Sequence, residues 1–170
     1  MPDNSKSAIV QGISRVKILK YLNKEPYFSV AIELLEDKPV TDQLEVDALT
    51  NNLRQVFEDL MKVAPNLTEE HSGMLKNIQK ANRLTDRAIS VITISNQEKQ
   101  EILEELDIKI RLEKALNLIS REIQRIKLGE EIQSEVHDEI TKTQREYYLR
   151  EQMKAIKKEL GEDEGTVESK

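Results

Sequence analysis

Gln144-Arg145-Glu146-Tyr147-Tyr148-Leu149-Arg150-Glu151-Gln152-Met153-Lys154-Ala155-Ile156-Lys157-Lys158-Glu159-Leu160-Gly161 closes a run of helix-forming residues that begins at Asp107 and meets no proline. At 1.5 Å per residue such a helix is roughly 80 Å long, more than twice the diameter of a compact domain of this size. Most of it has no place on this chain's own core. Its distal half is expected to project and to contact something outside this sequence.

Two apolar stripes divide the run. Ile108, Leu112, Ala115, Ile119, Ile123 and Ile126 recur at three and four, and so do Leu149, Met153, Ile156 and Leu160. Ile126 and Leu149 stand 23 residues apart, two beyond three heptads, which turns the second stripe by roughly 200° from the first. Base and tip therefore bury different faces, against different partners. Between them Leu128, Ile132, Val136 and Ile140 recur strictly every fourth residue, and Gly129 lowers local helix stability by up to about 1 kcal/mol relative to Ala, marking a place for a bend. At the tip Tyr147 and Tyr148 point about 100° apart, and Tyr147 falls nearly opposite Ile156. Either one ring packs beside Leu149 while the other stays exposed, or the tip is covered on more than one side by neighbouring subunits or a bound polypeptide. Tyr147, Tyr148, Leu149, Met153 and Ile156 are the candidate contact residues.

Working back from the long helix, Ser95 with Glu98 forms a capping box ahead of Ile102, Leu103 and Leu106, and Asp107 can cap the long helix itself. Lys157 and Lys158 occupy its last turn, and Gly161 is placed for a left-handed cap. Thr85 is read as the cap of a short helix carrying Ile89 and Ile92, and Thr68 as the cap of one carrying Met74, Leu75 and Ile78. Asp42 with Glu45 starts a core helix through Val46, Leu49, Leu53, Val56, Phe57, Leu60 and Val63, stopped by Pro65. Before Pro39 the pattern is β. Residues 8–11, 15–22 and 27–35 are rich in Val, Ile and Tyr, with turn signals at Gly12 and Asn23-Lys24-Glu25-Pro26. Val16, Ile18 and Lys20 set against Val30, Ile32 and Leu34 predict a hairpin with one buried face. Two or three strands are marginal alone, so the sheet reads as incomplete.

The expected fold is α+β, mostly α. A partial β lobe of two or three antiparallel strands (1–38) precedes a bundle of about four helices (39–106), the long projecting helix (107–161) and a flexible polar tail (162–170).

Composition narrows the chemistry. The 170 residues are 38% hydrophobic and 4% aromatic, enough for one modest domain with a thin core plus an extension. The net charge is -6 with both signs mixed along the helices, which makes nucleic acid an unlikely partner. There is no cysteine, which removes disulfides and thiolate chemistry and agrees with a reducing cytoplasm. No apolar run is long enough to cross a bilayer, and Met1-Pro2-Asp3-Asn4-Ser5-Lys6 lacks a signal-peptide core. The chain reads as cytoplasmic, with no membrane partner. None of Gly12, Gly73, Gly129, Gly161 and Gly165 precedes a lysine, so no phosphate loop is encoded. His71 and His137 lie apart, each without a second histidine at ligand spacing, and read as surface helix residues. The carboxylates alternate with Lys and Arg, as in Glu113-Lys114 and Arg121-Glu122, which is a solvated face. Catalytic, cofactor and metal sites are all expected to be absent.

The run from Gln144 to Gly161 resembles, almost residue for residue, a signature in the N-terminal region of Lon, the ATP-dependent serine protease of the AAA+ class (endopeptidase La), with Met153 where leucine is usual. Gln11-Gly12-Ile13-Ser14-Arg15-Val16-Lys17-Ile18 followed by Glu25-Pro26-Tyr27 is similar to the second half of that family's β lobe. Leu103-Glu104-Glu105-Leu106-Asp107 with Arg111-Leu112 is similar to its helix junction. The resemblance implies further strands ahead of Met1. Beyond Gly161 it implies an ATPase module using ATP and Mg and a protease module with a Ser-Lys dyad. The chain is accordingly read as an excised fragment, cut at both ends. For the residues present it implies a non-catalytic role, recognising unfolded or misfolded protein substrates and supporting the parent's ring-shaped homohexamer. The rival reading is a free-standing helical adaptor or scaffold whose long helix pairs in a coiled coil. The phase break after Ile126 counts against it, because a committed coiled coil keeps its heptad over several repeats.

Overall fold

A computed structural model describes Val10 and residues 12–160. Two antiparallel strands and five helices make it α+β and mostly α, as the patterning predicts. The chain divides into two compact units, Met1–Ile123 and Gln124–Lys170.

In the first unit, β1 (Arg15–Asn23) pairs with β2 (Ser29–Leu35). Val16 faces Leu34 and Ile18 faces Ile32, the pairing read from the alternation. The register then slips at Leu19 and again at Leu22, so Lys20 faces Ala31 instead of Val30. The turn contains a cis Glu25–Pro26 bond, and Tyr21 meets Phe28 edge to face with ring centres 6.0 Å apart. The expected buried face is not found. Val16, Ile18, Leu19, Tyr21, Leu22, Ile32 and Leu34 are all exposed and Val30, Ala31 and Leu35 only half-buried, because two strands without a second layer cannot enclose a face. The strand expected over 8–11 lies outside the described residues except for Val10, which belongs to no strand.

The helices assemble the core. In α1 (Gln43–Val63) the Asp42 carboxylate accepts the Glu45 N–H at 3.0 Å, and Val46, Leu53, Phe57 and Leu60 are buried along one stripe. The short α2 (Glu69–Lys76) starts at Thr68, whose backbone N–H donates to His71 Nδ1 at 3.1 Å, and it buries only Leu75. His71 is a surface helix residue, as read, and it also completes the helix start. The next helix corrects the sequence reading. It runs Ala81–Val91 (α3), so Thr85 lies inside it, fully buried, with its hydroxyl donating to Ala81 O at 2.8 Å in place of capping. Lys80, the residue at the true start, makes no side-chain cap. The Ser95–Glu98 capping box opens α4 (Asn96–Glu104) as expected, and Ile102 is its buried residue.

The last helix, α5, spans Ile108–Glu159. Asp107 Oδ1 accepts the N–H groups of Lys109 at 3.1 Å and Ile110 at 3.4 Å, capping the start as predicted. Gly161, the expected stop, lies outside the described residues. Ile108, Leu112, Ala115 and Ile119 complete the core of the first unit. Two polar residues, Arg111 and Glu122, are buried on the same helix.

Arg111, fully buried, is the centre of a polar knot. Its Nε donates to Glu105 O at 2.6 Å, one Nη pairs with Asp37, and the other Nη has no partner among the described residues. Asp37 also accepts from Asn82 at 2.9 Å and lies 4.0 Å from Arg15, which in turn binds Asp86 at 2.5 Å and Leu103 O at 3.0 Å. One carboxylate therefore ties the exit of the hairpin to α3 and to the junction of α4 with α5.

Candidate functional site

Within the second unit no described residue is buried. Along 124–160, α5 shows its apolar side chains to solvent: Leu128, Ile132, Val136 and Ile140 first, then Leu149, Met153, Ile156 and Leu160. The five sequence-predicted contact residues, Tyr147, Tyr148, Leu149, Met153 and Ile156, are 52–68% exposed. Helical geometry gathers Leu149, Met153 and Ile156 into one arc about 60° wide, with Tyr148 on its flank and Tyr147 on the opposite side.

Each tyrosine has a polar neighbour. The Tyr148 hydroxyl accepts from Gln152 Nε2 at 3.1 Å. Tyr147 shares its side of the helix with the Lys154–Glu151 ion pair (2.8 Å), whose carboxylate holds the Lys154 amine above the usual lysine range. Charges alternate around this surface, with Arg145, Arg150, Lys154, Lys157 and Lys158 against Glu146, Glu151 and Glu159. Such a face suits an extended apolar contact with a polar margin. It assembles no nucleophile and base.

The first unit offers a different kind of surface, which the sequence does not announce. Between α1, α2 and α3 lies a small cavity of about 50 Å³, walled by Leu53, Phe57, Leu75, Leu84 and Ala88. Arg54, Glu58, Ser72 and Lys76 supply its polar lining. Arg54 donates to Leu75 O at 2.8 Å and Ile78 O at 2.5 Å, tying α1 to the last turn of α2 and the loop that follows it. Only the folded arrangement brings residues from three separated segments together here. A second hollow, between α1 and the base of α5, is lined mainly by Asn52, Glu113, Asn117 and Ser120.

Elsewhere the strongest electrostatic shift belongs to Glu98. The Ser95 hydroxyl, then Arg121 and the Ser95 N–H, bring its pKa down to about 2. For Asp37, partial burial pushes the pKa up, but hydrogen bonds from Arg111 and Asn82 and the charges of Arg111 and Arg15 outweigh it, so the net shift is downward. Both groups serve helix ends and junctions. Among the described residues no cluster of three or more His, Cys, Asp or Glu could hold a metal, and no helix is long and apolar enough to cross a membrane.

Residues 1–121 match the family model of the ATP-dependent protease La (Lon) substrate-binding domain. The chain belongs to that family. It is 40% identical over 161 residues to a Lon protease of Syntrophus aciditrophicus, covering 94% of this chain, and 40% identical over 161 residues to one of Dictyoglomus thermophilum, covering 95%. A Lon protease of Koribacter versatilis is 39% identical over 168 residues, 98% of this chain. The chain spans about one fifth of the length of these relatives. The matched Lon domain contains the hairpin, α1–α4 and the base of α5, and it stops short of Tyr147.

Proposed function

We propose that this chain is the N-terminal, non-catalytic substrate-recognition part of an ATP-dependent Lon protease acting in the cytoplasm, and that it also supports the parent's homohexamer. The observation that carries the proposal is the match of residues 1–121 to the Lon substrate-binding domain, joined to a helix whose distal apolar residues are exposed among the described residues. Unfolded polypeptides expose apolar side chains that folded proteins hide, so a surface selecting them must itself keep apolar groups in water. Leu149, Met153 and Ile156, flanked by Tyr148 and backed by Tyr147, meet that requirement.

In this reading the partial β lobe (1–38) and bundle (39–106) form the recognition body. The long helix (107–161) carries the contact to substrate or neighbouring subunits, and the tail (162–170) leads onward. ATP and Mg, and the Ser-Lys dyad, would act in other parts of the parent. The free-standing scaffold reading has no observation in its favour now that family membership is established.

The test is binding of the 170-residue chain to a permanently unfolded protein such as reduced, carboxymethylated lactalbumin, against its native form. Selective binding of the unfolded form, weakened several-fold by Met153→Ala with Ile156→Ala, is the expected outcome. Equal binding of both forms, or of neither, would overturn substrate recognition by this chain.

A further inference from the structure

We propose that the middle of α5, from Leu128 to Ile140, is a docking face for a cationic amphipathic helix of another protein, one that carries a row of aliphatic side chains with a row of lysines or arginines beside it. The inference stands apart from the substrate-recognition reading, because the partner docks as a folded helix and the face lies beyond the region matched as substrate-binding.

Two parallel rows define the face. Leu128, Ile132, Val136 and Ile140 recur every fourth residue and are 50–56% exposed. Glu131, Glu135 and Glu139 keep the same spacing one position ahead of the last three, so they form a second row about 100° round the helix on one flank. On the other flank stand Gly129, Gln133 and His137, none of them acidic. With Glu130 and Asp138 the stretch holds five carboxylates and no lysine or arginine, and no ion pair among the described residues engages any of the five. Chemistry and spacing select the occupant. Rows at every fourth residue are the ridges by which helices interlock at a crossing of about 50°, whereas a coiled-coil strand needs the alternation of three and four. Carboxylates accept hydrogen bonds and donate none, which leaves the carbonyls of an extended chain unserved along that flank; a helix satisfies its own backbone. The glutamate row attracts Lys and Arg and repels phosphate, which sets aside nucleic acid and anionic lipid. Gly129 is an independent sign of the occupant. A Cβ there meets nothing within 4 Å, so no neighbour among the described residues calls for glycine at a helix-interior position where alanine is the better helix former. Its place beside Leu128 and Ile132 lets a partner's backbone come close.

The test uses the whole chain and three fluorescent peptides of about 20 residues on an alanine background, long enough to be helical. One carries leucine at every fourth position with a row of lysines beside it, the second has glutamates in place of the lysines, and the third scrambles the leucine–lysine composition so that no face is formed. By fluorescence anisotropy the leucine–lysine helix is expected to bind at low salt and to weaken as salt rises, and the other two to bind at least about tenfold more weakly. Glu131→Lys, Glu135→Lys and Glu139→Lys together should weaken the cationic helix about tenfold. Gly129→Ala should weaken it while raising the helicity seen by circular dichroism, a combination that a merely structural glycine does not give. The proposal is overturned if the cationic helix fails to bind, if the scrambled or glutamate peptide binds as well, or if either variant keeps full affinity. It is also overturned if sedimentation shows the chain pairing with itself through an association that the triple variant abolishes, since the occupant is then a second copy. Binding of carboxymethylated lactalbumin without binding of the cationic helix removes the docking face and leaves substrate recognition standing.

Discussion

The two halves of α5 have similar helix-forming sequences and opposite fates. From Ile108 to Ile119 the stripe is packed against other helices to near-complete burial, whereas from Gln124 to Leu160 a longer series of more widely spaced apolar residues is left in solvent. Propensity alone does not separate them, since both halves are rich in Leu, Ile, Glu, Lys and Arg. What differs is the partner. Helix stability in folded proteins comes mostly from the packed face, so the first half is held by this chain's own core and the second is stabilised by propensity and whatever it binds. Recognition surfaces have to be drawn from the second kind, because a side chain committed to a core is unavailable to a ligand.

The contrast should break first at the polar knot. Asp37→Ala strands the fully buried Arg111 charge without its carboxylate, and should cost about 3 to 4 kcal/mol in urea unfolding, as breaking buried pairs does. Ile119→Ala, which removes a fully buried side chain, should cost about 2 to 3 kcal/mol, and the half-buried Ile123→Ala less. Acid should find the same region. Asp37 is held below its ordinary 3.8, and Glu98 is lowered from 4.5 to about 2. Groups with depressed folded-state values stabilise the fold above their unfolded pKa and lose that contribution as pH falls through the folded value. Thermal stability should therefore drop between about pH 4.5 and 2, and Asp37→Asn should flatten part of the fall; a melting temperature unchanged over that range would show that these carboxylates hold nothing. Last and smallest, Met153→Ala and Ile156→Ala should each move stability by less than about 1 kcal/mol. If they cost as much as Ile119→Ala, the two halves of α5 are energetically alike and the comparison fails.

Much of the fold was legible in the sequence because its helix starts are written in side chains that bond the local backbone. Asp42, Ser95 and Asp107 each sit where their oxygens accept N–H groups two or three residues on, and each was readable as a cap. Thr85 misled for a related reason. A threonine hydroxyl can serve the N–H groups after it or the carbonyl four residues before it, and only burial among α3's neighbours selects the second. The true start at Lys80 has no side-chain bond and so no signal. Arg111 and Glu122 were hidden in a helix whose charges otherwise face water. The exposed tip was visible because apolar spacing alone implies a missing partner. The α1–α2–α3 pocket was not, since no periodicity reports where three separate segments leave a gap.

The two register slips in the hairpin have their own consequence. Both extra residues, Leu19 and Leu22, belong to β1, so that strand is bent and twisted at two points while β2 stays regular. An irregular edge is a poor template for a further strand and a regular one is a good template. The exposed sheet is thus one-directional. Any strand that extends it, from more of this polypeptide or from an aggregating neighbour, should add beside Ser29–Leu35, and a proline or lysine on that edge would protect the chain from self-association more than the same change in β1.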